Sequence, residues 1–241
     1  MPQEKVKKKT SKKKETKIND DASSINNFSQ SIGKLIGKLT FPAAEEIGKA
    51  LKAHASLWRI RNVDKILKKA DELSKDIDIN GKKINIRLLH HIIDEGSWND
   101  NEQVMEMWAG LLISSCSNNG QDDSNLIFIN ILKQMTSSEA LILKHACEEY
   151  MPTITTPGLI ACEEQVIKTP QELIEITKIN DIDQIDRELD HLRSLEVIQA
   201  GFTVGISTAN IAPTALGIQL FIRCKGYTGS PKEYFGLNSQ Q

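Results

Sequence analysis

Several features that mark large protein classes are scarce or absent in this sequence. Aromatic residues make up only 5% of its 241 residues, which disfavours a β-sandwich and favours a mainly helical protein. No apolar run approaches the ~20 residues of a membrane-spanning helix, so we expect no integral membrane segment. The four cysteines include no Cys-x-x-Cys pair, and no apolar signal segment stands at the N-terminus. We therefore expect a cytoplasmic protein with reduced, buried thiols.

Motifs of catalysis and of ligand binding are also missing. The sequence has no phosphate-binding loop of the P-loop kind and no Gly-x-Ser-x-Gly turn. His54, His145 and Cys147 lack the spacing of metal ligands, and the adjacent His90 and His91 would point about 100° apart on a helix. We therefore predict no catalytic residues, no cofactor and no metal site, and we expect that the protein is not an enzyme.

Residues 1–27 form a lysine-rich arm that we predict to be disordered. Between Lys5 and Lys17 there are eight lysines, one acidic residue and a single large apolar residue, Val6, too few apolar groups to offset the entropy of ordering. The arm is either a solubilising tail or a contact site for nucleic acid or an anionic membrane surface. The candidate contact residues are Lys7, Lys8, Lys9, Lys12, Lys13 and Lys14.

Residues 28–135 are predicted to form a helical domain that begins with an amphipathic segment. In the segment 32–39, Ile32, Leu35, Ile36 and Leu39 recur at helical spacing. The segment either packs against its own domain or, with the arm as a second signal, lies on a membrane surface.

A long helix is predicted next, from Pro42 to about Asp76. Its inward positions recur with a period near 3.6 and include Trp58, Asn62 and Ile66. A helix of over 30 residues is unusual in a globular domain. We therefore expect it to pair with a further helix, either in a bundle of this chain or in a second copy, which would make the protein a homo-oligomer.

The stretch from Asp94 to Cys116 is predicted to organise the domain. It reads as an acidic loop followed by a helix that Ser97 caps, with Asp100 in its first turn. Gly110 indicates a close helix crossing. The apolar stripe of this helix comprises Val104, Trp108, Leu111 and Leu112, and we expect Trp108 to be buried. A following helix, 126–135, carries Leu132 on its inner face.

Residues 136–226 are predicted to form a winged-helix-like α+β module, with residues 227–241 as a tail. Three helices follow a capping-box pattern at Thr136. Strands at 197–200 and 202–206, joined through Gly201, would form the wing, and a closing helix would contain Leu216. The fold class is therefore mainly α, with an N-terminal bundle of long helices followed by this module.

Charge argues against DNA binding by this module. Residues 137–226 contain 13 acidic and seven basic residues, and the third helix carries Asp181, Asp183, Asp186 and Asp190. A helix that reads a DNA groove gains from positive charge, whereas an acidic helix is repelled by phosphate. We therefore expect the module to contact a protein or to pack against the long helices. A protein is the expected partner of the chain, and nucleic acid remains an alternative through the arm.

Several short motifs, in this order and spacing, resemble the abortive-infection alpha family of bacterial proteins, a family tied to phage defence. They are Asp94-Glu95, Glu102, Met107-Trp108-Ala109-Gly110-Leu111-Leu112, Phe128, Ile131-Leu132, Thr136-Ser137-Ser138-Glu139-Ala140, Leu192-Arg193-Ser194-Leu195-Glu196-Val197-Ile198 and Pro213-Thr214-Ala215-Leu216-Gly217. The resemblance covers about residues 32–225. This sequence departs from the family pattern at Gly96-Ser97-Trp98, where a further acidic residue is expected.

The resemblance implies a role in phage defence and supplies no active site. Arg87 precedes His91, and Arg187 precedes His191, with three residues between them. Both pairs are closer in sequence than the Arg and His of a common class of bacterial defence RNases. We therefore expect a non-catalytic sensor or macromolecule-binding protein. A nucleic-acid binder acting through the arm and a membrane-acting effector acting through residues 32–39 are the alternatives.

Overall fold

A computed structural model describes residues 30–31, 33–35, 37–39, 56–155 and 158–237. It is mainly helical, with small antiparallel sheets. The helices are α1 (Leu57–Leu73), α2 (Ile86–Gly96), α3 (Glu102–Ser114), α4 (Leu126–Leu132), α5 (Ser137–Glu149), α6 (Pro170–Thr177), α7 (Ile182–Ser194), α8 (Ala215–Cys224) and α9 (Pro231–Tyr234). No helix in the described ranges is long and apolar enough to cross a membrane.

The described strands are two residues long and pair antiparallel. β1 (Lys83–Ile84) pairs with β2 (Cys116–Ser117), β3 (Thr153–Ile154) with β4 (Ile160–Ala161), and β5 (Ile167–Lys168) with β6 (Ala209–Asn210). Because β1 precedes α2 and β2 follows α3, the first sheet holds the two ends of a helical hairpin together.

Helix α3 is the centre of the molecule. It packs against α1 on one side and against α5 and α8 on the other. Trp108 has no exposed surface, as predicted, and Leu111 and Leu112 are equally buried. A Cβ atom added to Gly110 would lie 1.7 Å from the backbone oxygen of Cys224, so only glycine permits this crossing with α8. The predicted close approach is therefore confirmed, and the buried side chains on both sides of α3 form one continuous core.

The prediction of one helix from Pro42 to Asp76 is wrong at Ser56. This residue has the extended backbone of a helix cap (φ −64°, ψ 153°), and its hydroxyl accepts a hydrogen bond from the backbone of Arg59. The inward stripe of α1 then runs through Ile60, Val63, Leu67 and Ala70, which are buried at spacings of three and four residues. Trp58 lies off this stripe and is 43% exposed. The predicted start at Pro42 lies outside the described residues.

The acidic stretch before α3 also differs from its prediction. Asp94 and Glu95 lie in the last turn of α2 rather than in a loop. Ser97 follows the C-terminus of α2, and its hydroxyl donates a hydrogen bond to the backbone oxygen of Asp94. Asn101 caps α3 instead, because its side-chain oxygen accepts hydrogen bonds from the backbone of the first turn. An amide oxygen caps a helix about as well as a hydroxyl.

Helix starts in the second half were predicted correctly. Thr136 and Thr169 each form a complete capping box, with Glu139 and Glu172 respectively, and Asp181 caps α7. These side chains satisfy backbone N–H groups that have no partner inside the helix.

The predicted hairpin joined through Gly201 is wrong in its pairing. Ile198 pairs with Pro213, and Phe202 pairs with Ala209, so the chain turns within residues 203–208. Ala209 and Asn210 also pair with β5. The apolar alternation of residues 197–206 indicated strands, but it contains no information about which segment pairs with which.

Residues 227–237 are folded, although the sequence suggested a tail. Ser230 and Glu233 form a capping box at α9, and Tyr234 packs edge-on against Phe221, with ring centroids 6.4 Å apart. The four residues of α9 complete barely one turn. So short a helix gives no apolar periodicity from which it could be predicted.

The described part of the amphipathic segment packs against α1. Leu35 and Leu39 are buried, Ser31 donates a hydrogen bond to Asp64, and Lys38 pairs with Asp71. These contacts support packing on its own domain over a membrane contact. Ile32 and Ile36 lie outside the described residues.

Candidate functional site

Two tryptophans stand together on the surface at the start of α1 and after the end of α2. The rings of Trp58 and Trp98 are 6.4 Å apart, tilted by 53°. Trp98 is 59% exposed, and both rank among the exposed large apolar residues. Tryptophan is normally well buried, so two adjacent exposed indoles mark a candidate contact surface.

Arg59 holds this surface in place. Its guanidinium lies 4.1 Å from the ring centroid of Trp98, a cation–π distance. The same group donates hydrogen bonds to the Asp94 carboxylate, to the Asp94 backbone oxygen at 3.1 Å and to the Ser97 hydroxyl at 2.8 Å. Because the guanidinium is fixed on three sides, the indole beside it is oriented before any partner arrives. We call Trp58, Arg59, Asp94 and Trp98 the tryptophan face.

Asn62 connects the two segments that carry the tryptophan face. This buried residue of α1 donates a hydrogen bond of 3.0 Å to the backbone oxygen of Ser97. The loop that carries Trp98 is thereby attached to the helix that carries Trp58. The sequence signal for Asn62 was its place on the inward side of α1, and its role is to tie α1 to the end of α2.

The other acidic family-motif residues do not join Asp94 in one cluster. Glu95 lies 4.0 Å from the ammonium of Lys133, whereas Glu102 pairs with Lys65 at 3.3 Å and with Lys69 at 3.0 Å. The hydrogen bond from Lys69, followed by that from Lys65, lowers the pKa of the Glu102 carboxyl. Asp94, Glu95 and Glu102 therefore belong to separate ion pairs.

The remaining family-motif residues belong mostly to the core. Trp108, Leu111, Leu112, Leu132 and Leu192 are buried, and Leu216 is partly buried against the same core. The candidate contact lysines of the arm, Lys7, Lys8, Lys9, Lys12, Lys13 and Lys14, lie outside the described residues.

Glu139 and His191 form a pair between α5 and α7, in which Glu139 is buried and the His191 side chain is 39% exposed. The Glu139 side chain is 1% exposed, and its Oε1 lies 2.6 Å from Nδ1 of His191. Its Oε2 accepts the backbone N–H of Thr136 at 2.7 Å. Because both carboxylate oxygens are engaged, one by a helix cap and one by a ring nitrogen, this pair ties two helices together.

The cysteine thiols are buried, and their burial disfavours the reactive thiolate form. All four cysteines are free and buried, as the sequence predicted. Burial raises the pKa of Cys116 to about 12 and also raises the pKa values of Cys147, Cys162 and Cys224. The thiolate is the nucleophile and metal ligand, and these shifts suppress it. In the described ranges, no group of three His, Cys, Asp or Glu residues could hold a metal ion.

Sequence reasoning missed the tryptophan face. Trp58 was assigned to the inward stripe because the helix was extended past Ser56, and Trp98 was noted only as a departure from the family pattern. The available signal was the Ser56 cap before Trp58, since a helix that starts there need not continue the apolar stripe of the residues before it, and the stripe of α1 itself does not include Trp58.

Comparison with known proteins finds one family whose model matches this sequence. A model of the family described as abortive infection alpha matches residues 61–214, more than half of the chain. This range contains α2–α7 and most of α1. It also includes Asp94 and Trp98, whereas Trp58 and Arg59 precede it. No curated protein and no solved structure matches the sequence.

Proposed function

The chain belongs to the abortive infection alpha family, and from that premise we propose that it is a phage-defence protein that binds a protein partner through the tryptophan face, without chemistry of its own. The family suggests abortive-infection phage defence. The observation that carries the binding role is the adjacent and exposed pair Trp58 and Trp98, of which Trp98 is held by Arg59.

Residue type supports a protein partner for this face. Tryptophan and arginine are enriched among the residues that contribute most to protein–protein binding, and an oriented side chain loses less entropy on association. Arg59 is already neutralised by Asp94, so little charge on the face is left to attract phosphate. These features favour a partner with apolar side chains over a nucleic acid backbone.

We also propose that residues 136–226 form a winged-helix-like module that does not bind DNA. The order α5, β5, α6, α7 and β6, with β5 paired to β6, supports the winged-helix-like part. The acidic residues of the third helix support the second part, because Asp183, Asp186 and Asp190 are all exposed. Phosphate would be repelled along this surface.

The test is phage plaquing on bacteria that express the chain. We expect the double substitution Trp58→Ala and Trp98→Ala to abolish the reduction in plaques that the unchanged chain gives across a phage panel. Both side chains are exposed, so folding and expression should be preserved, and a circular dichroism melt of the purified variant verifies this.

The matched control is Val204→Ala, which removes a fully exposed apolar side chain from the loop 203–208. It should leave protection unchanged. Full protection by the folded double variant would contradict the role of the tryptophan face. If the unchanged chain protects against no phage, the defence role itself is contradicted, and nuclease activity of the purified protein would contradict the non-catalytic part.

A further inference from the structure

A cleft of about 350 Å³ opens where α1, α3, α5 and α8 meet. Its volume lies within the range of about 300–1,000 Å³ that small-molecule sites occupy. The cleft joins helices from both halves of the chain and takes no residue from the tryptophan face. Nothing in the proposed binding of a protein partner accounts for it.

The floor of the cleft is apolar and rigid. Met107, Phe221 and Cys224 line it and are at most 8% exposed. Cys224 cannot recede, because its backbone is in direct contact with Gly110. The ammonium of Lys225 lies over the ring of Phe221, 5.1 Å from its centroid, so the partly buried Leu73 gives the cleft its accessible apolar surface.

Lys144 is the cation of the cleft that is free to bind an anion. Lys69 is held between Glu102 and Glu106, at 3.0 and 3.2 Å, and Lys225 lies 2.9 Å from Glu148. The Lys144 ammonium instead donates to the neutral amide oxygen of Gln103 at 2.9 Å. Among the described residues, no carboxylate lies within ion-pair distance of Lys144, so its charge is positioned but not neutralised.

The opposite end of the cleft carries carboxylates. Glu72 and Asp76 line it, and in the part of the chain that the structure describes neither side chain makes a hydrogen bond or an ion pair. They can accept hydrogen bonds from hydroxyl or amino groups. A second anionic group beside them would be repelled, so the ligand must be anionic at one end only.

The ion pairs between α1 and α3 set the distance between the two ends. Lys65 meets Glu102, and Lys69 meets both Glu102 and Glu106, so each residue of α1 lies level with the residues of α3 that are 33 to 37 positions later. Glu72 is therefore level with residues 105–109, two to six residues beyond Gln103. At a rise of 1.5 Å per residue, the carboxylate end lies about 3–9 Å from the Lys144 end.

We propose that this cleft binds a nucleoside monophosphate. Its phosphate pairs with Lys144, its base packs against the apolar side chains of Leu73 and Met107, and its base amino group or ribose hydroxyls donate to Glu72 or Asp76. A nucleoside monophosphate is one small molecule that carries an anionic group, a planar apolar ring and hydrogen-bond donors. Ribose hydroxyls commonly bind carboxylates in other nucleotide sites.

The test is isothermal titration calorimetry of the full chain with AMP, GMP, CMP and UMP, and with adenosine and inorganic phosphate as fragments. At least one monophosphate should bind with a Kd below about 1 mM. Lys144→Gln should weaken that binding about tenfold or more, because it removes a charge-assisted hydrogen bond. The same variant should leave binding of the matching nucleoside unchanged.

Lys133→Gln is the control, since it removes one ammonium that does not line the cleft. It should not change the Kd. The proposal is overturned if no monophosphate binds, if Lys144→Gln has no larger effect than Lys133→Gln, or if inorganic phosphate binds as tightly as the nucleotides. Loss of plaque protection by the tryptophan-face variant tests the proposed function independently, because that face shares no residue with the cleft.

Discussion

The core around α3 and the tryptophan face use the same residue type in opposite ways. Trp108 is fully buried among helices, whereas Trp58 and Trp98 are 43% and 59% exposed. The buried indole is held by apolar neighbours on every side. In the exposed pair, Trp98 is held by the guanidinium of Arg59, which Asp94 and Ser97 fix by hydrogen bonds, and Trp58 packs against Trp98. A well-ordered side chain is therefore found in both regions, but only one of them uses its apolar surface for folding.

This difference assigns separate roles to the two regions. Removing an apolar side chain from a packed core costs both its transfer free energy and the cavity that remains. Removing an apolar side chain from the surface changes the free energy of unfolding little. An exposed apolar side chain that contributes little to stability is available for binding. The comparison predicts that stability and defence can be changed separately.

The largest expected effect is on stability, from Trp108→Ala. The free energy of unfolding should fall by about 3–5 kcal/mol, because a buried large side chain leaves a cavity. Trp98→Ala, the exposed counterpart, should lower it by no more than about 1 kcal/mol, because the substitution removes mainly the cation–π contact with Arg59. Urea unfolding followed by far-ultraviolet circular dichroism measures both, and equal losses in the two variants would end the distinction between the regions.

Trp108→Phe sharpens this prediction. The indole N–H of Trp108 is buried and finds no hydrogen-bond acceptor among the described residues. Phenylalanine fills most of the cavity and removes that unsatisfied donor, which offsets part of the cost. We expect a loss clearly smaller than that of Trp108→Ala.

Gly110→Ala should have the next largest effect. Its Cβ would overlap the backbone oxygen of Cys224 at 1.7 Å, so α3 and α8 must separate, at a cost of about 1–3 kcal/mol. At Gly96 a Cβ would meet only side-chain atoms of Ile66 and Trp108, at 3.0 Å or more. Gly96→Ala is therefore the control and should lose less stability in the same urea experiment.

The core was largely predictable from sequence, and the surface was not. The spacing of Trp108, Leu111 and Leu112 indicates one buried face, and Gly110 beside them indicates a close neighbour, because these patterns depend only on helix geometry. The tryptophan face depends on where α1 begins and on a contact between Arg59 and Asp94, 35 residues apart. Neither follows from local spacing.

The strand pairing and the cleft were hidden for a related reason. Alternation at residues 197–206 identifies extended chain, but the partner of Phe202 is Ala209, across a turn that the alternation does not mark. The cleft brings Lys144 next to Gln103, 41 residues earlier. Such pairings depend on how the helices pack against one another.

Alkaline pH should weaken the core before it affects the tryptophan face. The folded pKa of Cys116 is raised to about 12 from its ordinary value of 9.0. An unfolded thiol therefore ionises first, and the stability that this thiol contributes is complete below pH 9 and is lost as the pH rises towards 12. The loss from Cys116 should be about 1.4 kcal/mol for each pH unit above 9.

Cys116→Ala isolates that contribution. Urea unfolding at pH 8 and pH 10 should show a smaller decline for the variant than for the unchanged chain, although the variant starts lower because of its cavity. Parallel declines in the two proteins would show that Cys116 ionises normally in the folded state.

The smallest expected effect is that of Lys69→Met, at the solvent-facing edge of the contact between α1 and α3. Burial would lower the pKa of Lys69, but the hydrogen bonds that its ammonium donates to Glu102 and Glu106 outweigh burial, and the pKa is raised. A raised pKa means that the ion pairs stabilise the fold below the ordinary lysine value, and that this stability is lost as the pH rises through the folded value.

Because Glu102 and Glu106 are more than half exposed, solvent screening limits the effect of Lys69→Met to about 0.5–1 kcal/mol near neutral pH. Lys65→Met should cost less, since Lys65 is 50% exposed and makes one contact at 3.3 Å. Salt distinguishes this edge from the core: raising the ionic strength should shrink the Lys69→Met effect and leave that of Trp108→Ala nearly unchanged. Urea midpoints at low and high salt measure both. If the stability lost in Lys69→Met is the same at low and high salt, the methylene chain of Lys69 contributes by packing. The edge between α1 and α3 would then belong to the core.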